Sequence, residues 1–230
     1  MTTQSQAARL AAAHDSPAAH AARAPSRIVR ASALTATPWK NGGGVTREIA
    51  AYPVGASLDT FVWRVSVADV ERAGPFSKFP GIDRTLVLLA GAGMHLSEAH
   101  GVTHALMEPL SVARFDGEAA LDAQLVDGAT RDFNVMVRRE RASATVQVWQ
   151  GAGTHTLDAD VALVFCARAS LDVRVDVKSK GIGQGHATVP PAKAAATLAE
   201  MDTLVLDAPR SLVCEVTGDG AALAVLVHYA

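Results

Sequence analysis

Two stretches of this chain alternate with period two, and that constrains the fold more than any other feature. In residues 61–67, Phe61, Trp63, Val65 and Val67 fall on one side, and Val62, Arg64 and Ser66 on the other. In residues 171–177 the alternation is strict, which predicts a half-buried strand with Asp172, Arg174 and Asp176 wet. Shorter runs of the same kind recur from residue 27 to residue 228, separated by Gly, Pro, Asp and Asn. Helix signals are weak. In the body of the chain, residues 68–74 read as a helical turn or loop, and residues 118–121 and 197–201 are the only other places that allow a turn of helix. Many short strands at this spacing give an all-β sandwich or barrel.

The two halves rhyme. Residues 86–91 (LVLLAG) answer 162–167 (ALVFCA), and residues 133–139 answer 224–228. Such self-similarity points to a duplicated β unit and to two small barrels packed face to face. The expected division is a flexible tail over 1–26, a first unit over 27–142 and a second over 143–230, with strand exchange between them left open. The tail is rich in Ala, Ser, Thr, Gln and Pro and lacks the continuous apolar run of a secretory signal. Residues 179–193, rich in Gly and Pro, read as a loop.

A hydrophobic share of 49% allows a substantial core. With 21 basic and 23 acidic side chains there is no basic field for nucleic acid or an anionic membrane. No apolar run is long enough to span a bilayer. Cys166 and Cys214 sit in apolar runs and read as buried thiols of a reducing compartment, so a cytoplasmic location is expected.

The densest chemistry lies at residues 38–49 (PWKNGGGVTREI). Three glycines allow a sharp turn whose N–H groups form an anion-binding concavity. Trp39, Lys40 and Asn41 offer an apolar wall, a charge and an amide, and Thr46 and Glu48 share a face if a strand follows. Arg64, two residues before Ser66, presents a fork of donors suited to a carboxylate or phosphate. From spacing alone it reads equally as an outer-face residue, or as one paired with Glu48 or Asp83. Asp83-Arg84 reads as a structural pair tying down a loop. Asn134 would place an amide in the same interior as Arg64.

No metal or cofactor site is expected. The histidines show no His-x-His or His-Glu-x-x-His, and the cluster of His95, Glu98, His100 and His104 spans a hairpin and reads as a turn with exposed histidines. Gly-x-Ser-x-Gly is absent, the 181–185 glycines precede no amphipathic helix, and the 42–44 run lacks the ending of a phosphate loop.

Five blocks in order carry a family resemblance: WKNGGGVTRE (39–48), WRVSVA (63–68), GPFS (74–77), FPGIDR (79–84) and DFNVM (132–136). The chain resembles the HutD/Ves family over about residues 28–228. The resemblance implies a bicupin, two jelly-roll β-barrels in one chain, and a small-molecule binder without the cupin metal motif. It also implies a bacterial protein linked to histidine utilisation or, in the Ves branch, to stress response. It supplies no enzyme class. The expected function is binding of a small carboxylate of the urocanate or formylglutamate type, in a regulatory or accessory role. Arg64 would hold the carboxylate. Lys40, Asn41, Ser66 and Asn134 would add hydrogen bonds, Trp39 a wall, and Glu48 would orient Arg64 or Lys40. The alternative is a metal-independent isomerase or hydrolase acting on a small acid, with Glu48 or a histidine as base. No catalytic residue is assigned, and a homodimer is left open.

Overall fold

The computed structural model describes residues 26–98, 101–177, 194–210 and 212–230. The expected tail up to residue 25 and the expected loop at 179–193 lie outside them. Among the described residues the structure is all-β, with one three-residue 3-10 turn at Ala31–Ala33. The first strands are β1 Ser26–Val29, β2 Ala36–Pro38, β3 Gly44–Tyr52, β4 Trp63–Val70, β5 Gly74–Pro75, β6 Ile82–Ala90, β7 Met94–Glu98, β8 Gly101–Leu106, β9 Val112–Asp116, β10 Asp122–Leu125 and β11 Thr130–Arg138. They continue as β12 Ala142–Gln150, β13 Gly153–Leu157, β14 Val161–Arg168, β15 Leu171–Val177, β16 Ala194–Leu198, β17 Thr203–Asp207, β18 Leu212–Thr217 and β19 Ala221–Tyr229. The helical turns expected at 118–121 and 197–201 do not form, and of the turn or loop expected at 68–74, residues 68–70 continue β4. Residues 118–121 connect β9 to β10, and residues 197–198 close β16, where pairing with β15 outweighs the helix preference of Ala and Leu.

Among the described residues the strands make four open sheets, none closed into a barrel by hydrogen bonds. Their orders are β2-β3-β4-β11-β6-β9 and β5-β10-β7-β8, then β1-β17-β14-β19-β12 and β13-β18-β15-β16. We call the first and third inner sheets and the other two outer sheets. The alternation read from the sequence decides the layering. Trp63, Val65 and Val67 of β4 and Phe133 and Val135 of β11 meet Val146, Leu163, Phe165, Leu223 and Val225 between the two inner sheets. The opposite face of the first inner sheet joins the first outer sheet through Leu86, Leu88, Met94, Leu96 and Leu106. Val164, Val173, Cys214 and Ala224 do the same for the second pair.

The order β4-β11-β6-β9 with β5-β10-β7-β8 reappears as β12-β19-β14-β17 with β13-β18-β15-β16, a shift of eight strands throughout. Backbone detail repeats too. Leu110 and Met201 each take a left-handed conformation two residues before β9 and β17, and each donates its N–H to the preceding long strand, at Leu88 and Cys166. β1 breaks the symmetry by pairing with β17, so the described chain begins in a sheet built otherwise from its second half.

The glycine run is used for packing. Gly42 takes φ +65°, its N–H bonds to the Trp39 carbonyl, and the Gly43 N–H bonds to Asn41 Oδ1 at 3.0 Å. Those two donors are consumed inside the turn and do not form the expected anion-binding concavity. A Cβ on Gly44 would lie 2.2 Å from the Asp69 carbonyl oxygen. Gly44→Ala is therefore expected to cost about 2 kcal/mol or more by forcing β3 from β4. A fall in urea midpoint with unchanged slope would show it.

Candidate functional site

Period two places a polar set on the face of the first inner sheet that looks toward the first outer sheet. Glu48 on β3 opposes Ser66 on β4, which opposes Asn134 on β11. In the neighbouring row Arg64 opposes Met136, which opposes Arg84 of β6. Phe115 of β9 lies beside Arg84. Ser66 and Asn134 are buried, while Glu48 keeps 42% of its side chain exposed and marks the wet side of the group.

Arg64 is largely buried. Its Nε donates to Glu48 Oε2 at 2.8 Å and its Nη1 lies 3.4 Å from Ser66 Oγ. The Glu48 pairing left open by the sequence is the one observed, and Arg64 does not face bulk water. Arg84 is held differently. Its Nη2 donates to Asn134 Oδ1 at 3.2 Å, and its Nη1 reaches the Ser77 carbonyl at 3.5 Å. Its guanidinium lies over the rings of Phe76, Phe79 and Phe115, with centroids 5.2, 5.6 and 5.0 Å away. Its Nε is buried without a hydrogen-bond partner. Among the described residues no carboxylate forms an ion pair with it. Burial and then the Arg64 charge push its pKa down to about 10. Two cations thus face one carboxylate. A buried charge without an opposite partner is costly, so the arrangement favours an added anion.

The expected Asp83-Arg84 pair does not exist. Asp83 bonds Arg139 at 2.8 Å, because adjacent strand residues point to opposite faces. Arg84 is the residue that sequence reasoning missed. The signal was present, since Arg84 shares parity with the buried Leu86 and Leu88.

The expected residues 39–41 lie elsewhere. Gly44 faces Val70 at one end of β4 and Arg64 lies near the other, about 20 Å along the strand. Lys40 and Asn41 are exposed beyond the Gly44 end, and Asn41 is engaged by Gly43. Trp39 packs on the apolar cluster below the polar set, and its Nε1 donates to Thr46 Oγ1 at 2.7 Å. The structure therefore brings together Glu48, Arg64, Ser66 and Asn134, adds Arg84, and leaves Lys40 and Asn41 apart.

Asp132 shares this face, two residues before Asn134. It is fully buried between Ala68 and Leu88. Its Oδ2 accepts from Thr130 Oγ1 at 3.3 Å and its Oδ1 has no partner. Burial, offset in part by the Thr130 hydrogen bond and aided by the Asp69 charge, pushes its pKa up to about 7.

Among the described residues no three of His, Cys, Asp and Glu gather where they could hold a metal ion. His95 and His104 sit on the paired strands of the expected hairpin but are half-buried, not exposed as expected; His100 lies outside the described residues. The His104 ring lies 6.0 Å from Phe115. Both cysteines are buried free thiols, with burial raising their pKa to about 11 for Cys166 and about 12 for Cys214. No helix among the described residues is long and apolar enough to cross a membrane.

The second half does not repeat the polar set. Register equates Asp132, Asn134 and Arg84 with Ala222, Ala224 and Ala162. All three alanines are buried in the second apolar core.

A sequence model of the HutD family matches residues 31–224. An uncharacterized 21.2 kDa protein in the hutC 3' region of Pseudomonas putida is 37% identical over 147 residues, 64% of this chain and 76% of that one. Protein Ves of Escherichia fergusonii is 40% identical over 111 residues, 48% of this chain, and the match spans only 56% of the Ves chain. The structure of HutD from Pseudomonas fluorescens SBW25, solved in a formate condition, superposes with a TM-score of 0.72 at 30% identity, covering 89% of this chain and 99% of that one.

Proposed function

The chain belongs to the HutD family, and from that membership we propose that it is a metal-free bicupin whose first half, residues 27–142, binds a small carboxylate of histidine catabolism in a regulatory or accessory role. One observation carries the reading. Arg64 and Arg84 converge on Ser66 and Asn134, and among the described residues only Glu48 opposes their charge. The ligand's carboxylate takes the unpaired Arg84 and the Asn134 amide, with Arg64 alongside. The rings of Phe76, Phe79 and Phe115 keep that contact dry, which strengthens it. The hutC neighbourhood printed for the Pseudomonas putida relative supports a histidine-pathway acid. The repeated pair of inner and outer sheets supports the bicupin reading.

Calorimetry with urocanate and formylglutamate tests this. The wild type is expected to bind at least one of them. Arg84→Ala is expected to weaken that binding about 10- to 100-fold, the worth of one charge-assisted hydrogen bond. No heat with either acid on the wild type would end the proposal.

A further inference from the structure

Among the described residues, the polar face of the first inner sheet holds two buried atoms without partners. One is Arg84 Nε and the other is Asp132 Oδ1. Native interiors rarely leave such atoms unpaired, so each calls for an explanation. They belong to adjacent strands and to the same side of the sheet. The Arg84 guanidinium reaches back to Asn134, and Asp132 lies one pleat repeat beyond, about 7 Å along β11. A single small molecule lying along β11 could meet both.

We propose that the ligand is bifunctional, with a carboxylate seated on Arg84 and, a few atoms away, a neutral acceptor oxygen or nitrogen that receives a hydrogen bond from a protonated Asp132. This rests on the carboxylate reading above and sharpens its ligand class. A carboxylic acid kept neutral by an apolar site can donate a hydrogen bond that a carboxylate cannot. The apolar neighbours Ala68 and Leu88 maintain that state. A simple monocarboxylate would use only the Arg84 end.

Other charges surround Asp132. Asp69 of β4 is held by Arg47 of β3 and by Arg131 at 2.6 Å each. Glu48, Arg64 and Arg84 share the polar face, and His104 of β8 shares parity with the core residue Leu106 and lies against Phe115. The test therefore needs an Asp132 variant as well as a change of pH. The probes are 4-oxopentanoate and pentanoate, equal in chain length and charge, of which only the first carries an acceptor. The wild type at pH 6 is expected to bind 4-oxopentanoate roughly tenfold or more tightly than pentanoate, and to lose that preference by pH 8.5. Asp132→Asn, whose amide still donates, is expected to keep the preference at both pH values. Asp132→Ala is expected to abolish it. Equal binding of the two acids to the wild type at pH 6, or a preference that survives Asp132→Ala, overturns the inference and leaves the carboxylate reading standing. Failure of both acids to bind at millimolar concentration overturns the inference, while the carboxylate reading stands or falls on urocanate and formylglutamate.

Discussion

Asp132→Asn is expected to make the protein more stable at pH 8, by up to about 4 kcal/mol. The Asp132 carboxyl titrates near 3.8 in an unfolded chain and at about 7 in the fold. Each unit of that difference is worth about 1.4 kcal/mol. The folded state holds the proton more tightly, so the wild type loses stability as pH rises from about 4 to about 7 and is level above that. The cost arises because an ionised carboxylate between Ala68 and Leu88 has only the Thr130 hydroxyl to solvate it. An amide at the same position carries no charge and removes this dependence. Urea midpoints for both proteins at pH 4 and pH 8 measure the effect. The variant should gain at pH 8 and match the wild type at pH 4. A parallel pH dependence in the two proteins would contradict the argument.

One residue along β11 the expected effect reverses sign. Phe133→Ala should destabilise the fold by about 3 to 5 kcal/mol. Phe133 points to the other face, is fully buried, and its ring lies 4.7 Å from that of Phe165 on the second inner sheet. Removing it opens a cavity where the two inner sheets meet, flanked by Val87 and Leu223. Strands on both sides are fixed by long ladders and cannot collapse inward to fill it. Urea unfolding with an unchanged slope and a much lower midpoint is the expected record. Phe133→Leu, which keeps most of the volume, should cost far less. Similar losses for Ala and Leu would mean that the contact between the two tilted rings, not volume, holds the sheets together.

Much of the architecture was legible because period two is a direct readout of strand faces. Residues 63–67 separated into the apolar side that meets the second inner sheet and the polar side that bears Arg64 and Ser66. Asn134 was placed beside them by the same rule. Phe61 and Val62 precede the strand and break the expected alternation, Phe61 packing with Ile82 and Met136 and Val62 with the core between the inner sheets. Arg84 was hidden by its neighbour. Asp83-Arg84 looks like an ion pair in one dimension, although consecutive residues of a strand cannot share a face. Residues 39–41 show the opposite limit. They are close to Glu48 in sequence, yet β3 runs away from them, so chain proximity becomes distance along the strand. The layering of four sheets and the pairing of β1 with β17 depend on contacts between distant segments, which local pattern does not encode. The burial of Asp132 was equally invisible, because an aspartate at a strand entrance ordinarily faces water.

The three alanines that replace arginine, aspartate and asparagine in the second half have a wider consequence. They give the molecule a keel and a hold. One copy of the motif answers to close packing alone, so its sequence can drift among small aliphatic side chains. The other carries groups that weaken it, and it leans on its twin across the central seam to tolerate them. Differences in buried polar side chains among related chains should therefore be written on one side of that seam.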